Sequence, residues 1–189
     1  MNKTEAAHIL VSVVTISLAF SLFKTEVFDP GYFLLILTTV GVAFIFHELA
    51  HKYVAMHYGA HAEYRAWTTG LFLALVLAFV TQGGFVFAAP GAVYIFGRVT
   101  REQNGKISLA GPAMNLVLAI VFLAVALALG SGSQLSSWAA TGAFVNVFLG
   151  AFNMLPFPPL DGSKVMAWDK RVWLAAAAAF GLLFIFLAV

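Results

Sequence analysis

His47, Glu48 and His51 stand in the run His47-Glu48-Leu-Ala-His51, two imidazoles four residues apart with a carboxylate beside the first. On a helix this spacing puts both rings on one face, a turn apart, where they can grip a divalent cation such as Zn²⁺ while the adjacent Glu serves as general base. The chemistry such a set could do is metal-assisted hydrolysis. The five residues lie inside one of the most apolar stretches of the chain. Ionisable side chains at bilayer depth cost several kcal/mol unless something pairs with them, so a cluster placed there points to a functional site.

Two imidazoles are not enough. A catalytic zinc usually takes three protein ligands and leaves its fourth position to water. The chain has no Cys, which excludes thiolate ligands and disulfides alike, so His and carboxylate must hold any metal. Glu5, Glu26, Asp29, Glu63, Glu102 and Asp169 read as residues of interfacial loops. Asp161 differs: it closes the run Asn153-Met-Leu-Pro-Phe-Pro-Pro-Leu-Asp161-Gly162, after an apolar helix that should end on the same side as the His47 helix. The prolines at 156, 158 and 159 forbid a helix there, and non-helical backbone at membrane depth is tolerated only where protein buries it or where it lines a wet cavity. Folding back toward the metal would serve both needs.

The elements that must carry these residues are membrane helices. With 62% hydrophobic residues, 10% charged residues and a mean hydropathy of +0.95, the chain cannot cover a soluble globule of its size with polar surface. It is expected to be an all-α polytopic membrane protein, with about five transmembrane helices and a re-entrant helix or β segment between the first two core helices. A single membrane-embedded domain over 1–189 would comprise an accessory helix 6–23, a core 31–165 and a C-terminal helix 172–189. The long apolar runs within it are 32–58, 107–129, 136–155 and 172–189. Residues 6–23 read as a retained helix rather than a cleaved signal, because Lys3 is offset by Glu5 and Ser21-Leu22-Phe23 lacks a small-x-small ending. The run 67–80 rises only about 21 Å as a helix against a hydrocarbon core of roughly 30 Å, and either helix or hairpin would fit it. It ends at Gln82-Gly83-Gly84.

Charge decides the sidedness. If residues 67–95 enter and return to one side, Lys3, Arg65, Arg98, Arg101, Lys106, Lys164, Lys170 and Arg171 share a face with Lys52 near it, and Lys24 alone falls opposite. The rich face is then cytosolic, the N-terminus lies in the cytosol and the C-terminus outside. A full crossing would erase the asymmetry. His47 precedes Tyr58 by eleven residues, so it sits about 16 Å below the cytosolic end of its helix, buried yet reachable from the cytosol. His57 and His61 repeat the four-residue spacing but flank Gly59, and they read as headgroup-level polar residues, while His8 reads as inert. Trp67, Trp138, Trp168 and Trp173 fall near span ends, where an aromatic belt is expected.

Taken together, His47-Glu48-Leu-Ala-His51, Gly111-Pro112-Ala-Met-Asn115 and the run from Asn153 to Gly162 resemble, in order and on successive helices over about residues 31–165, the site-2 protease family of intramembrane zinc metalloproteases. The resemblance implies one Zn²⁺ held by His47, His51 and Asp161, with Glu48 as catalytic base and with Asn115 and Asn153 lining the substrate site or stabilising an oxyanion. It implies hydrolysis of a peptide bond in or near the transmembrane segment of a membrane-protein substrate, and a membrane-associated β segment for which 83–95 is the candidate. The expected partners are that substrate and the lipid bilayer, with no nucleic acid; oligomeric state and substrate identity stay open. Ser163 departs from the family's Asp-Gly-Gly, and the compact chain has no room for a PDZ domain. An unwound substrate could pair as a strand with 85–95 or 156–160. Asn115 and Asn153 could instead tie helices together. Two other readings survive at this level: a metal transporter, which would need a path open in turn to both faces and for which no inverted repeat is evident, and a non-catalytic scaffold for membrane proteins.

Overall fold

A computed structural model describes residues 1–21, 29–81 and 90–188. In chain order the elements are α1 (Lys3–Ser21), α2 (Pro30–Ile36), one π-helical turn (Leu37–Gly41) running directly into α3 (Val42–His57), β1 (His61–Ala66), α4 (Thr68–Val80), β2 (Gly91–Phe96), α5 (Arg101–Leu129), α6 (Gln134–Asn153), α7 (Asp161–Trp168) and α8 (Lys170–Ala188). Among the described residues, five helical stretches are long and apolar enough to cross a membrane: Lys3–Ser21, Pro30–His57, Arg101–Leu129, Gln134–Asn153 and Lys170–Leu187. The chain is an integral membrane protein built mostly of helices.

Of the helix and the hairpin that would fit 67–80, the structure has the helix. Thr68–Val80 is a helix, and β1 pairs with β2 in a two-stranded sheet. Strand β1 is not expected from the sequence, where His61 reads as a headgroup-level residue; β2 supplies the C-terminal part of the anticipated β segment. The expected break at Gln82-Gly83-Gly84, the 85–89 part of the proposed docking strand and the polar link 24–28 lie outside the described residues.

The chain forms two compact units, Met1–Ile45 with Glu63–Tyr94, and Phe46–Ala62 with Ile95–Val189. In the first, Asp29 starts α2 by accepting the N–H groups of Gly31 and Tyr32, with Pro30 in the first turn where its missing N–H costs nothing. Helix α1 lies along β1. Glu5, only 2% exposed, accepts the Tyr64 N–H at 3.0 Å, and two residues on His8 Nδ1 faces the Ala66 N–H at 3.4 Å. Alternate main-chain donors of β1 are thus occupied by α1 side chains, which closes an edge that would otherwise be open to pairing. Glu5 therefore sits inside a helix rather than in an interfacial loop, and the Tyr64 N–H of the strand helps to offset its burial.

In the second unit, Thr100 and Gln103 form a reciprocal cap that starts α5, and Ser133 caps α6. Glycines let these helices touch. A Cβ on Gly142 would stand 2.6 Å from Phe122 of α5, and one on Gly150 would stand 2.2 Å from Phe180 of α8. The core formed there comprises Ala119, Val147, Met154, Val165 and Phe180. After Asn153 the helix stops, as its prolines require, and the Trp173 indole N–H donates to the Met154 carbonyl at 2.8 Å. Helix α7 then opens on Asp161.

Candidate metal centre

Helix α3 provides two ligand candidates and the first turn of α7 a third, all within the second unit. His47 and His51 are 6% and 8% exposed, Asp161 7%. The two Nε2 atoms are 3.0 Å apart, and Asp161 Oδ2 stands 3.4 Å from His47 Nε2 and 3.0 Å from His51 Nε2. Three ligands at about 2.05 Å from a tetrahedral zinc lie about 3.3 Å from one another, which is the size of this triangle. Among the described residues this is the group whose ligand atoms converge, all within 4.8 Å. Asp161 follows His51 by 110 residues of chain, and the fold brings its carboxylate to both imidazoles.

The far side of each ring tests whether a cation fits. His51 Nδ1 lies 2.7 Å from the Ile107 carbonyl oxygen, and His47 Nδ1 lies 2.6 Å from Asn115 Oδ1. A carbonyl oxygen can only accept, so each Nδ1 carries the proton and each Nε2 presents a lone pair. Two Nε2 lone pairs and a carboxylate oxygen, turned at one another with no proton between them, repel unless a cation stands among them. The donor set suits Zn²⁺, and its outer hydrogen bonds are those that orient metal-bound His. Lys164 Nζ approaches the other oxygen, Oδ1, at 3.5 Å, leaving Oδ2 to face the rings.

Helix α5 shapes the opposite wall. A Cβ on Gly111 would stand 2.4 Å from His51 Nε2 and 2.6 Å from His47 Nε2. Pro112 follows, unable to bond back along the helix, in the stretch where the Ile107 carbonyl turns to His51. Gly111→Ala should therefore lower zinc affinity on the order of 100-fold, as measured by chelator competition on the folded protein. Gly181→Ala, whose Cβ meets nothing within 4 Å, should change nothing.

The remaining expected residues are placed differently from one another. Glu48 is half-buried on α3 beside His47. Asn115 is fully buried behind His47 and bonded to its ring, a role the sequence reading did not give it. Asn153, half-buried at the end of α6, donates to the Leu149 carbonyl at 2.9 Å. His57 packs its ring on Tyr58 and His61 on Phe96. Asn146, unremarked in the sequence, lies 3.0 Å from Asn115. An amide in the middle of an apolar span was the signal that could have found it.

The profile of peptidase family M50 matches residues 32–135. A protein of Methanocaldococcus jannaschii provisionally named a zinc metalloprotease is 44% identical over 173 residues, covering 91% of this chain and 88% of that protein. A second relative, from Mycolicibacterium smegmatis and provisionally named likewise, is 32% identical over 145 residues, 70% of this chain and 56% of its own length. A further M. jannaschii protein, named a zinc metalloprotease, is 28% identical over 164 residues, 87% of this chain and 41% of that one. The last two relatives thus extend well beyond the matched region. No solved structure matches the chain.

Proposed function

The chain belongs to peptidase family M50, and from that premise we propose that it is an intramembrane zinc endopeptidase that hydrolyses a peptide bond in or near the transmembrane segment of a membrane-protein substrate. One observation carries the reading: His47 Nε2, His51 Nε2 and Asp161 Oδ2 converge in a buried place with both Nδ1 protons tied away from it.

When bound there, one Zn²⁺ would supply a water acidic enough to ionise near neutral pH and would polarise the scissile carbonyl. Glu48, next to His47, takes the proton of the attacking water and returns it to the leaving amine. His47 and His51 hold their Nε2 lone pairs inward, and Asp161 adds the negative charge that lets two neutral imidazoles and one carboxylate balance half of the ion's charge. The buried rings keep bulk water away, so charges there act at low effective dielectric. Asn153, at the helix end that leads into the proline-rich turn, is the side chain placed to bond a substrate main chain, and Asn115 can reach such a substrate only past His47.

The orientation that gathers the basic residues at the cytosolic face, with N-terminus in the cytosol and C-terminus outside, is supported by the 13-residue length of α4. At about 20 Å it is too short to cross. The centre then opens toward the cytosol. To test the activity, the purified chain is reconstituted with a panel of single-span membrane proteins in liposomes. Cleavage within a span that stops on chelation and returns with zinc is the expected outcome; metal-dependent ion uptake without any cleavage would instead favour a transporter.

A further inference from the structure

His47 is oriented by a line of amides that begins on another helix. Asn146, fully buried in the middle of α6, donates from Nδ2 to the Gly142 carbonyl at 2.9 Å. Its Oδ1 accepts from Asn115 Nδ2 at 3.0 Å, and Asn115 Oδ1 accepts from His47 Nδ1 at 2.6 Å. The direction of this line is set at its far end. The Gly142 carbonyl can only accept, so the amino group of Asn146 must face it and the Asn146 oxygen must face Asn115. Asn115 then turns an N–H to Asn146 and its oxygen to His47. The proton of His47 is forced onto Nδ1, and the lone pair onto Nε2.

The other imidazole reaches the same state in one step, from Nδ1 to the Ile107 carbonyl. Both rings are thus poised by a main-chain acceptor, but only the His47 arm passes through side chains. Replacing Asn146 removes the acceptor that draws the Asn115 amino group away from His47, and an Asn115 amide turned over would offer that amino group to Nδ1. The imidazole would answer by moving its proton to Nε2, where it blocks a cation.

We propose that Asn146 is a positioning residue of the metal centre, acting through Asn115 to fix which nitrogen of His47 carries the proton. The inference rests on the metal-binding part of the reading above and is separable from the proteolysis. It makes a specific prediction about rescue. An Asp at 115 accepts from Nδ1–H whatever stands at 146, because an ionised carboxylate has no donor to present.

The experiment measures zinc affinity by competition with a chelating fluorophore on the full chain in detergent micelles, with thermal unfolding as a check on the fold. Asn146→Leu should weaken zinc binding about 10- to 100-fold, the usual cost of losing an outer hydrogen bond to a ligand. Adding Asn115→Asp to it should bring the affinity back to within about threefold of the original chain. Should Asn146→Leu fail to accumulate, Asn146→Ser is read in the same way, since its short hydroxyl bonds back to its own helix and does not reach Asn115. Unchanged affinity in the position 146 variants would overturn the proposal. So would a double variant as weak as the single one, which is what a mere tie between α5 and α6 predicts. A wild-type chain that takes up no zinc would overturn both this inference and the metal reading beneath it, whereas the predicted order of affinities without any cleavage would leave the inference standing and remove only the protease.

Discussion

Glu48→Gln should lower cleavage of a transmembrane substrate by about 10³-fold, within the range that a positioned general base contributes, while leaving zinc content unchanged. The substitution keeps the size and shape of the side chain but removes its capacity to take a proton. Glu48 is outside the converging triangle of His47, His51 and Asp161, so the metal has no reason to leave. The two measurements together separate the function classes. A peptidase loses turnover and keeps its metal. A transporter or a scaffold continues to work, because neither needs a base at that position.

Asp161→Ala should have the opposite profile, losing zinc and activity together. Binding energies of about 10–16 kcal/mol for four-ligand zinc sites correspond to about 3 kcal/mol for each ligand, or on the order of 100-fold in affinity, and the loss of negative charge adds to this. Cleavage should fall below detection at zinc concentrations that saturate the original chain. Asp161→Asn should fall between, since it keeps an oxygen within 3.0–3.4 Å of the two rings but not the charge. Chelator competition followed by metal analysis checks both variants. Undiminished zinc in Asp161→Ala would remove the residue from the ligand set.

Much of the centre was legible in the sequence because a few residue types carried unambiguous physics. His47 and His51 are one turn apart on any helix, so their shared face needed no tertiary information. Asp161 stood out because its prolines deny the chain a helix where an exposed backbone is forbidden, and the fold does break between Asn153 and Asp161. The spans were legible from apolar length alone, to within a few residues at each end; α5 begins at Arg101 rather than 107 because a polar cap and charged first turn precede the apolar run.

What the sequence hid has equally physical causes. Strand β1 carries His61, Glu63 and Arg65 in six residues, a composition that reads as a polar loop. It is a strand because β2 and α1 both meet its main chain, and those contacts come from far away in sequence. Glu5 looked interfacial for the same reason. Asn115 and Asn146 are amides whose meaning lies in direction, donor or acceptor, and that is settled only by the Gly142 carbonyl and the His47 ring at the two ends. A pattern of residue types does not record which way an amide faces.

The most direct test of the account is zinc-edge X-ray absorption on the purified, zinc-loaded chain. Two imidazoles and oxygen ligands at about 2.0–2.2 Å around one zinc per chain are predicted, with one imidazole lost in His47→Ala and one in His51→Ala. A zinc surrounded by any other number of imidazoles, or imidazole scattering that survives both substitutions, would contradict it.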